Sequence, residues 1–355
     1  MDKVATRLIS GIPLFAGIAQ GELEGVLRIF QPVTFAPGSY LTRQGQPADG
    51  AYIIESGTAD VITALPGGGE TAVAALGPGS VLGEMALLER GVRSATVIAR
   101  SPVEAHVVER DGFRMLLAQR NGAAFTIQNR ITLTLCKRLR ELNARIIASD
   151  APENAALPLS GQSADPAGMR RGQCSFDFRA FLPILPIFKR FTPGELADFT
   201  KRTEVIALDR GRILYQQGDP GAAGFVVVRG ALEIGHAENG QRHRIGILGP
   251  GRLCGILALI EGHPHSMSAA ARECSVLLEI PKAAFDALFA GYEPAAAKFQ
   301  EAINRDLLQA LARTNNHLTR LISQARVRGG RQEKMQAEEL QRALATEDVR
   351  TKGGG

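Results

Sequence analysis

Gly83-Glu84-Met85-Ala86-Leu87-Leu88-Glu89-Arg90-Gly91-Val92-Arg93-Ser94-Ala95-Thr96-Val97 is the stretch on which the reading of the whole chain turns. Glu84 only accepts hydrogen bonds and Arg93 is permanently charged, and the two stand nine residues apart with little bulk between them. Just upstream, Gly77-Pro78-Gly79 forces a turn, and Gly83 lets the backbone come close to a ligand. Glu84 to Leu88 has the length of one short helical turn, whose first amides lack internal partners and suit an anion. Arg93 adds a fork of donors matched to phosphate oxygens, with the Ser94 hydroxyl beside it. A small ligand with hydroxyls at one end and a phosphate at the other fits this set. A magnesium-bound triphosphate does not, since GxxxxGK[ST] is absent.

Working outward, 355 residues are enough for two domains of ordinary size, each with its own core. Apolar content of 45% and charged content of 22% are those of a soluble globular chain. Runs such as Phe225-Val226-Val227-Val228 are strand-length, far short of the roughly 20 residues that span a bilayer, so no membrane insertion is expected. Met1 to Arg7 shows no secretory pattern, and Cys136, Cys174, Cys254 and Cys274 are dispersed without a His cluster. These features point to reduced thiols, a cytoplasmic location and no metal. The net charge of +5 is spread over both halves without a dense basic block and reads as solvated surface.

The cassette lies in the first half of a long internal repeat. Ile12-Pro13-Leu14-Phe15 returns as Leu185-Pro186-Ile187-Phe188, Gly21-Glu22-Leu23 as Gly194-Glu195-Leu196, and Gln44-Gly45 as Gln217-Gly218. Gly57 pairs with Gly230, an offset of 173, and Leu76-Gly77-Pro78-Gly79 with Leu248-Gly249-Pro250-Gly251, an offset of 172. Glycines and apolar positions held at one offset mean two copies of one domain. Within a copy, Tyr52 to Ile62 reads as two strands around Gly57, with further strands at Ala72 to Leu76 and Ala95 to Ala99. Short strands at glycine spacing predict a closed roll. Helices are expected at Glu22 to Phe30 and Glu195 to Thr200, and a longer one closes each copy.

Those closing helices carry apolar stripes at steps of three or four: Ile127, Ile131, Leu135, Leu139, Leu142 and Ile146, then Phe299, Ile303, Leu307, Leu311, Leu318 and Leu321. Stripes carried past the roll predict helix–helix pairing, including a homo-oligomer through the terminal helices. Residues 150–174, rich in Pro, Ala, Gly and Ser, read as a flexible linker. The domain plan is therefore 1–149, linker 150–174, second copy 175–328, and a polar tail 329–355 expected to be disordered.

The motif Gly-Glu-Met-Ala-Leu, a few loop residues, then Arg-Ser-Ala-Thr-Val resembles the phosphate-binding cassette of the cyclic-nucleotide-binding domain family. Catabolite activator proteins, protein kinase A regulatory subunits and cyclic-nucleotide-gated channels share that cassette. The resemblance covers residues 10–148 with high specificity and 182–322 with less, and departs at Val92, where proline is frequent. It implies a mainly β fold with flanking helices: two tandem jelly-roll-like β-rolls, each followed by a long C-terminal helix. It implies cyclic AMP, or cyclic GMP, as regulatory ligand. Arg93 would hold the cyclic phosphate with Ser94 in support, and Glu84 the ribose 2′-hydroxyl. Gly83, the Met85 and Ala86 amides and Ala95 would complete the site, and Asn143 on the lid helix would reach the base.

The second copy keeps the frame and changes the chemistry. Ile256 stands at the Glu84 position, and His265, followed by Ser266, at the Arg93 position. An Ile accepts no hydrogen bond, and a His is mostly neutral near pH 7. At about 1.5–3 kcal/mol per charge-assisted bond, the loss predicts a degenerate site serving in packing or partner binding. No Ser/Cys–His–Asp set or kinase signature suggests an enzyme. Residues after the second copy show no paired amphipathic helices, so sequence-specific DNA reading is not expected, and a transcriptional regulator is the second reading. The expected function is a cyclic-nucleotide-sensing regulator acting on an unidentified protein partner.

Overall fold

The computed structural model describes residues 11–64, 70–149, 169–172, 177–238 and 241–328. The chain divides into two compact units, residues up to 134 with those from 319 onward, and residues 135–318. The first contains α1 (Gln20–Leu27), then β1 (Phe30–Phe35), β2 (Tyr40–Thr42), β3 (Pro47–Ala48), β4 (Gly50–Ser56), β5 (Ala59–Ala64), β6 (Glu70–Leu76) and β7 (Val81–Leu82). A 3₁₀ turn (Glu84–Leu87) leads to β8 (Gly91–Val92), β9 (Thr96–Ala99), β10 (Val103–Glu109), α2 (Arg110–Ala118) and α3 (Gly122–Ala148). Two antiparallel sheets, ordered β1-β10-β4-β7 and β2-β9-β5-β6, close the roll, and β3 and β8 form a separate ribbon. Apolar side chains from both sheets, among them Leu41, Ile54, Val61, Leu76, Val97 and Val103, make the core.

The second unit repeats this order. It runs β11 (Met169–Arg171), a 3₁₀ helix (Phe178–Ile184), α4 (Pro193–Lys201), β12 (Glu204–Leu208), β13 (Ile213–Tyr215), β14 (Ala223–Arg229), β15 (Leu232–Glu238) and β16 (Gln241–Leu248). Then come β17 (Leu253–Cys254), α5 (Ile256–Glu261), β18 (Ser268–Ala271), β19 (Ser275–Pro281), α6 (Lys282–Ala290) and α7 (Pro294–Arg328). Its sheets are β11-β12-β19-β14-β17 and β13-β18-β15-β16. The two sheets match the first unit's strand for strand with β11 added, while among the described residues the β3–β8 ribbon has no counterpart. The repeat seen in the sequence is thus a repeat of topology. The mainly β fold with flanking helices stands.

Local chemistry accounts for the main elements. Gly57 turns the chain between β4 and β5 at φ +86°, where a Cβ would also run into the Pro102 carbonyl. The run Phe225 to Val228 is buried on both faces: Phe225 and Val227 belong to the roll's core, and β14 also meets α5 and α6. Thr192 and Glu195 form a capping box at the start of α4, and Glu195 also pairs with Lys298 of α7 at 2.7 Å. The lysine, ahead of the cap bonds, holds the Glu195 carboxyl below its ordinary range.

Three expectations change. The first helix ends at Leu27 rather than Phe30, because buried Phe30 opens β1 opposite Val108. Residues 169–171 are not linker: they pair antiparallel with Leu208, Ala207 and Ile206. Pairing of that kind covers the outer edge of β12 through backbone groups and needs no side-chain pattern. The α3 stripe from Ile127 to Ile146 is buried within the chain itself, as are Phe299, Ile303, Leu307, Leu318 and Leu321 on α7. That stripe is therefore already covered before any second copy is considered. The division into compact units falls inside α3, between Thr134 and Leu135. Most of the expected linker and the whole of the tail from 329 lie outside the described residues.

Candidate functional site

In the first unit, β7 delivers the chain to Gly83, which sits in the left-handed region at φ +74°. A Cβ there would run into the Arg93 Nη1 and lie 3.1 Å from the Gly50 carbonyl oxygen, so both conformation and space call for glycine. The 3₁₀ turn that follows buries Glu84, Ala86 and Leu87. Its third amide is engaged internally, since Ala86 N–H donates to the Gly83 carbonyl at 3.0 Å. Ala86 therefore does not offer the outward amide expected of it, because a 3₁₀ turn closes one residue earlier than an α-turn.

Arg93 is placed by its own backbone. Its N–H donates to the Gln46 carbonyl at 2.8 Å and its carbonyl accepts from Gly45 at 2.9 Å, in continuation of the β3–β8 ribbon. The side chain is only 7% exposed. Nη1 donates to the Gly50 carbonyl at 2.7 Å, Nη2 to Asp49 Oδ1 at 3.1 Å, and the guanidinium lies 5.5 Å from the Tyr52 ring centre. The Asp49 carboxylate is 84% exposed, so the pair is buried at one end and open to solvent at the other. Burial raises the Tyr52 phenol above its ordinary value, with Arg93 pulling it down and Asp49 pushing it up.

Arg93 lines a cavity of about 70 Å³ that opens to solvent. Gly83, Glu84, Met85, Ala86, Arg93, Ser94 and Ala95 all line it. Sequence reasoning did not name the apolar wall of Val61, Leu76, Leu82 and Val97, nor Thr42, whose hydroxyl donates to the Ala95 carbonyl at 3.3 Å. Strand alternation in β5, β6 and β9 was the signal available for that wall. Asn143 is buried and belongs to the second unit, and it is not among the cavity's lining residues. The lining combines one guanidinium, one buried carboxylate, the Thr42 and Ser94 hydroxyls and an apolar wall, an arrangement for a small, partly apolar molecule carrying a phosphate. Among the described residues no group of three or more His, Cys, Asp or Glu is placed to hold a metal, and no helix is long and apolar enough to cross a membrane.

The second unit carries the same frame with different contents. His265 N–H donates to the Asp219 carbonyl at 2.9 Å and its carbonyl accepts from Gly218 at 2.8 Å, the same clamp that holds Arg93. Gly255 keeps the left-handed turn at φ +77°, and Ile256 behind it is buried. Tyr215, at the position of Thr42, lays its ring on that of buried His265 at 3.8 Å and 12°. Its hydroxyl meets the Cys254 sulfur at 3.0 Å. Ser266 offers its carbonyl to His236 Nδ1 at 3.2 Å. Burial lowers the pKa of His265, Asp219 opposes that and Arg140 adds to it, so the imidazole is neutral near pH 7. An aromatic pair thus stands at the two positions that Thr42 and Arg93 hold in the first unit.

The profile described as "Cyclic nucleotide-binding domain" matches this chain twice, at residues 32–120 and 205–292. A CRP-like cAMP-activated global transcriptional regulator of Mycobacterium tuberculosis is 30% identical over 162 residues, 45% of this chain and 69% of that protein. The chain belongs to the cyclic-nucleotide-binding domain family. It carries two tandem domains of that family, and the cavity lies in the first. A cAMP-dependent protein kinase regulatory subunit of Mycosarcoma maydis is 26% identical over 269 residues, 73% of this chain. This chain spans only 42% of that subunit's length. The corresponding subunit of Dictyostelium discoideum is 21% identical over 85% of this chain and 78% of that protein. Its two domains are thus similar to those of proteins named as kinase regulatory subunits and CRP-like regulators.

Proposed function

We propose that the first domain binds cyclic AMP in preference to cyclic GMP and that the chain is a sensor without catalysis of its own, acting in the cytoplasm on a protein partner. The observation that carries this reading is buried Arg93 in a cavity lined by all seven residues expected of the cassette. Arg93 holds the phosphate, Glu84 the ribose 2′-hydroxyl, and the Val61–Leu76–Leu82–Val97 wall faces the base. The preference for cyclic AMP leans on the likeness to a cAMP-activated regulator and to cAMP-dependent kinase subunits. Since Tyr215 and His265 fill the second cassette, the second domain serves packing and transmission. Any homo-oligomer built on the terminal helices uses faces other than the buried stripes. Calorimetry with both nucleotides on the wild type and on Arg93→Ala tests the reading. One site per chain is expected, lost in the variant. Two equal sites, or binding that survives the substitution, would overturn it.

A further inference from the structure

Strand β2 carries an irregularity that brings one polar side chain into the first cavity. Tyr40 and Thr42, two residues apart, face Ile98 and Val97, which are adjacent on β9, so Leu41 is the extra residue of a β-bulge. Strict alternation would send Leu41 and Thr42 to opposite faces of the sheet. The bulge instead buries both, Leu41 in the roll's core and Thr42 among the cavity's lining residues. The second unit keeps the device. Ile213 and Tyr215 face Ala270 and Ala269 with the same shift in register, and the Tyr215 ring lies 3.8 Å from that of His265, which stands at the Arg93 position. A side chain at this bulge is thus directed at the residue in Arg93's place. Threonine has no ring to lay there, and in the first unit the two positions line one cavity instead.

The Thr42 hydroxyl has a single proton to give. It goes to the Ala95 carbonyl at 3.3 Å, well beyond the roughly 2.7–2.8 Å of an ordinary O–H···O bond. That bond is long and neutral, whereas a phosphate oxygen is charged and therefore the stronger acceptor. The β-branched side chain is stiff at χ1, so little freedom is lost in keeping the hydroxyl in place. We infer that Thr42 is a further phosphate-holding residue of the first site, its hydroxyl turning from the Ala95 carbonyl to a phosphoryl oxygen of the bound nucleotide. The inference rests on the reading of the first site given above, and adds to it a group from β2, outside the Gly83–Val97 stretch. One strand position then carries different duties in the two copies: a hydroxyl for the ligand in the first, a ring on His265 in the second.

Thr42→Val, which keeps the shape and removes the hydroxyl, and Thr42→Ser, which keeps the hydroxyl, test this in the full chain. The measurement is calorimetry with cyclic AMP and cyclic GMP and with the two phosphorothioate diastereomers of each, in which sulfur, a weak acceptor, replaces one or the other exocyclic phosphate oxygen. Thr42→Val is expected to weaken the unmodified nucleotide about tenfold, and Thr42→Ser to recover most of that loss. Wild type and Thr42→Val are expected to bind one diastereomer alike, because sulfur has already removed the bond, while the other diastereomer shows the loss. Should Thr42→Val fail to fold by circular dichroism, Thr42→Ala is set against Thr42→Ser with the same ligands and the same expectations. A role in packing alone would weaken the unmodified nucleotide and both diastereomers equally, and that result overturns the inference. Binding by Thr42→Val within about threefold of wild type overturns it as well. Absence of binding of every ligand by the wild type overturns the reading of the first site and this inference with it. Binding that is lost in Arg93→Ala and indifferent to Thr42 overturns this inference alone.

Discussion

Replacing Arg93 by alanine is expected to separate binding from folding cleanly. A guanidinium has five N–H donors. Gly50 and Asp49 take one each, at 2.7 and 3.1 Å. The remainder suffices for a bidentate hold on a phosphate without disturbing either contact. Two charge-assisted bonds at about 1.5–3 kcal/mol each amount to about 3–6 kcal/mol of binding. At about 1.4 kcal/mol per tenfold, affinity should fall by roughly two to four orders of magnitude. The loss in folding is smaller. One hydrogen bond to a carbonyl is worth about 1 kcal/mol, and a pair with an exposed carboxylate about 0–1 kcal/mol. Calorimetry at one salt concentration measures the first quantity, and urea unfolding monitored by circular dichroism the second. Arg93→Lys keeps the charge without the fork and should fall between wild type and Arg93→Ala. Binding retained within about threefold would refute the assignment of the phosphate to Arg93. Unfolding of the first domain would refute the claim that the residue serves the ligand more than the fold.

Gly83→Ala forces a side chain into φ +74° and against Arg93; about 1–2 kcal/mol of backbone strain and a weaker nucleotide site are expected, read by melting and calorimetry. Tyr215→Ala removes the ring stacked on His265; a loss of about 3–5 kcal/mol in urea unfolding is expected, and a loss under about 1 kcal/mol would mean that the ring fills no space there. Burial pushes the Asp306 carboxyl up to about 6 despite Arg252 at 2.9 Å and nearby Arg313. The folded state then holds a proton that the unfolded chain has released between about pH 4 and pH 6. Stability should therefore fall as pH rises through that window, by at most about 1.4 kcal/mol per unit, and level off above it. Asp306→Asn should flatten this slope in urea midpoints, and parallel wild-type and variant curves would count against the assignment.

What the chain discloses before folding is whatever local pattern encodes. Glycines at one offset announced two copies, Gly57 marked its turn, and the Glu84–Arg93 spacing marked the cavity. What escaped depends on neighbours distant in sequence. Asp49 meets Arg93 only because the β3–β8 ribbon brings positions 44 residues apart side by side. Tyr215 reads as an ordinary strand residue until its strand is laid beside the cassette. Met169–Arg171 forms a strand through backbone pairing that composition does not record. The division inside α3 is similarly hidden, since an apolar stripe shows that a helix is buried without saying on which body.

The matching clamps at Arg93 and His265 have a consequence for how such a protein can change. In both domains two backbone hydrogen bonds fix the position, at 2.8 and 2.9 Å, and neither uses the side chain. The position works as a socket: the roll holds whatever residue is plugged in and aims it at the same point. Exchanging the plug alters what the domain recognises while the surrounding strands stay put. A duplicated domain can therefore give up its original ligand and acquire a new duty without first having to learn a new fold.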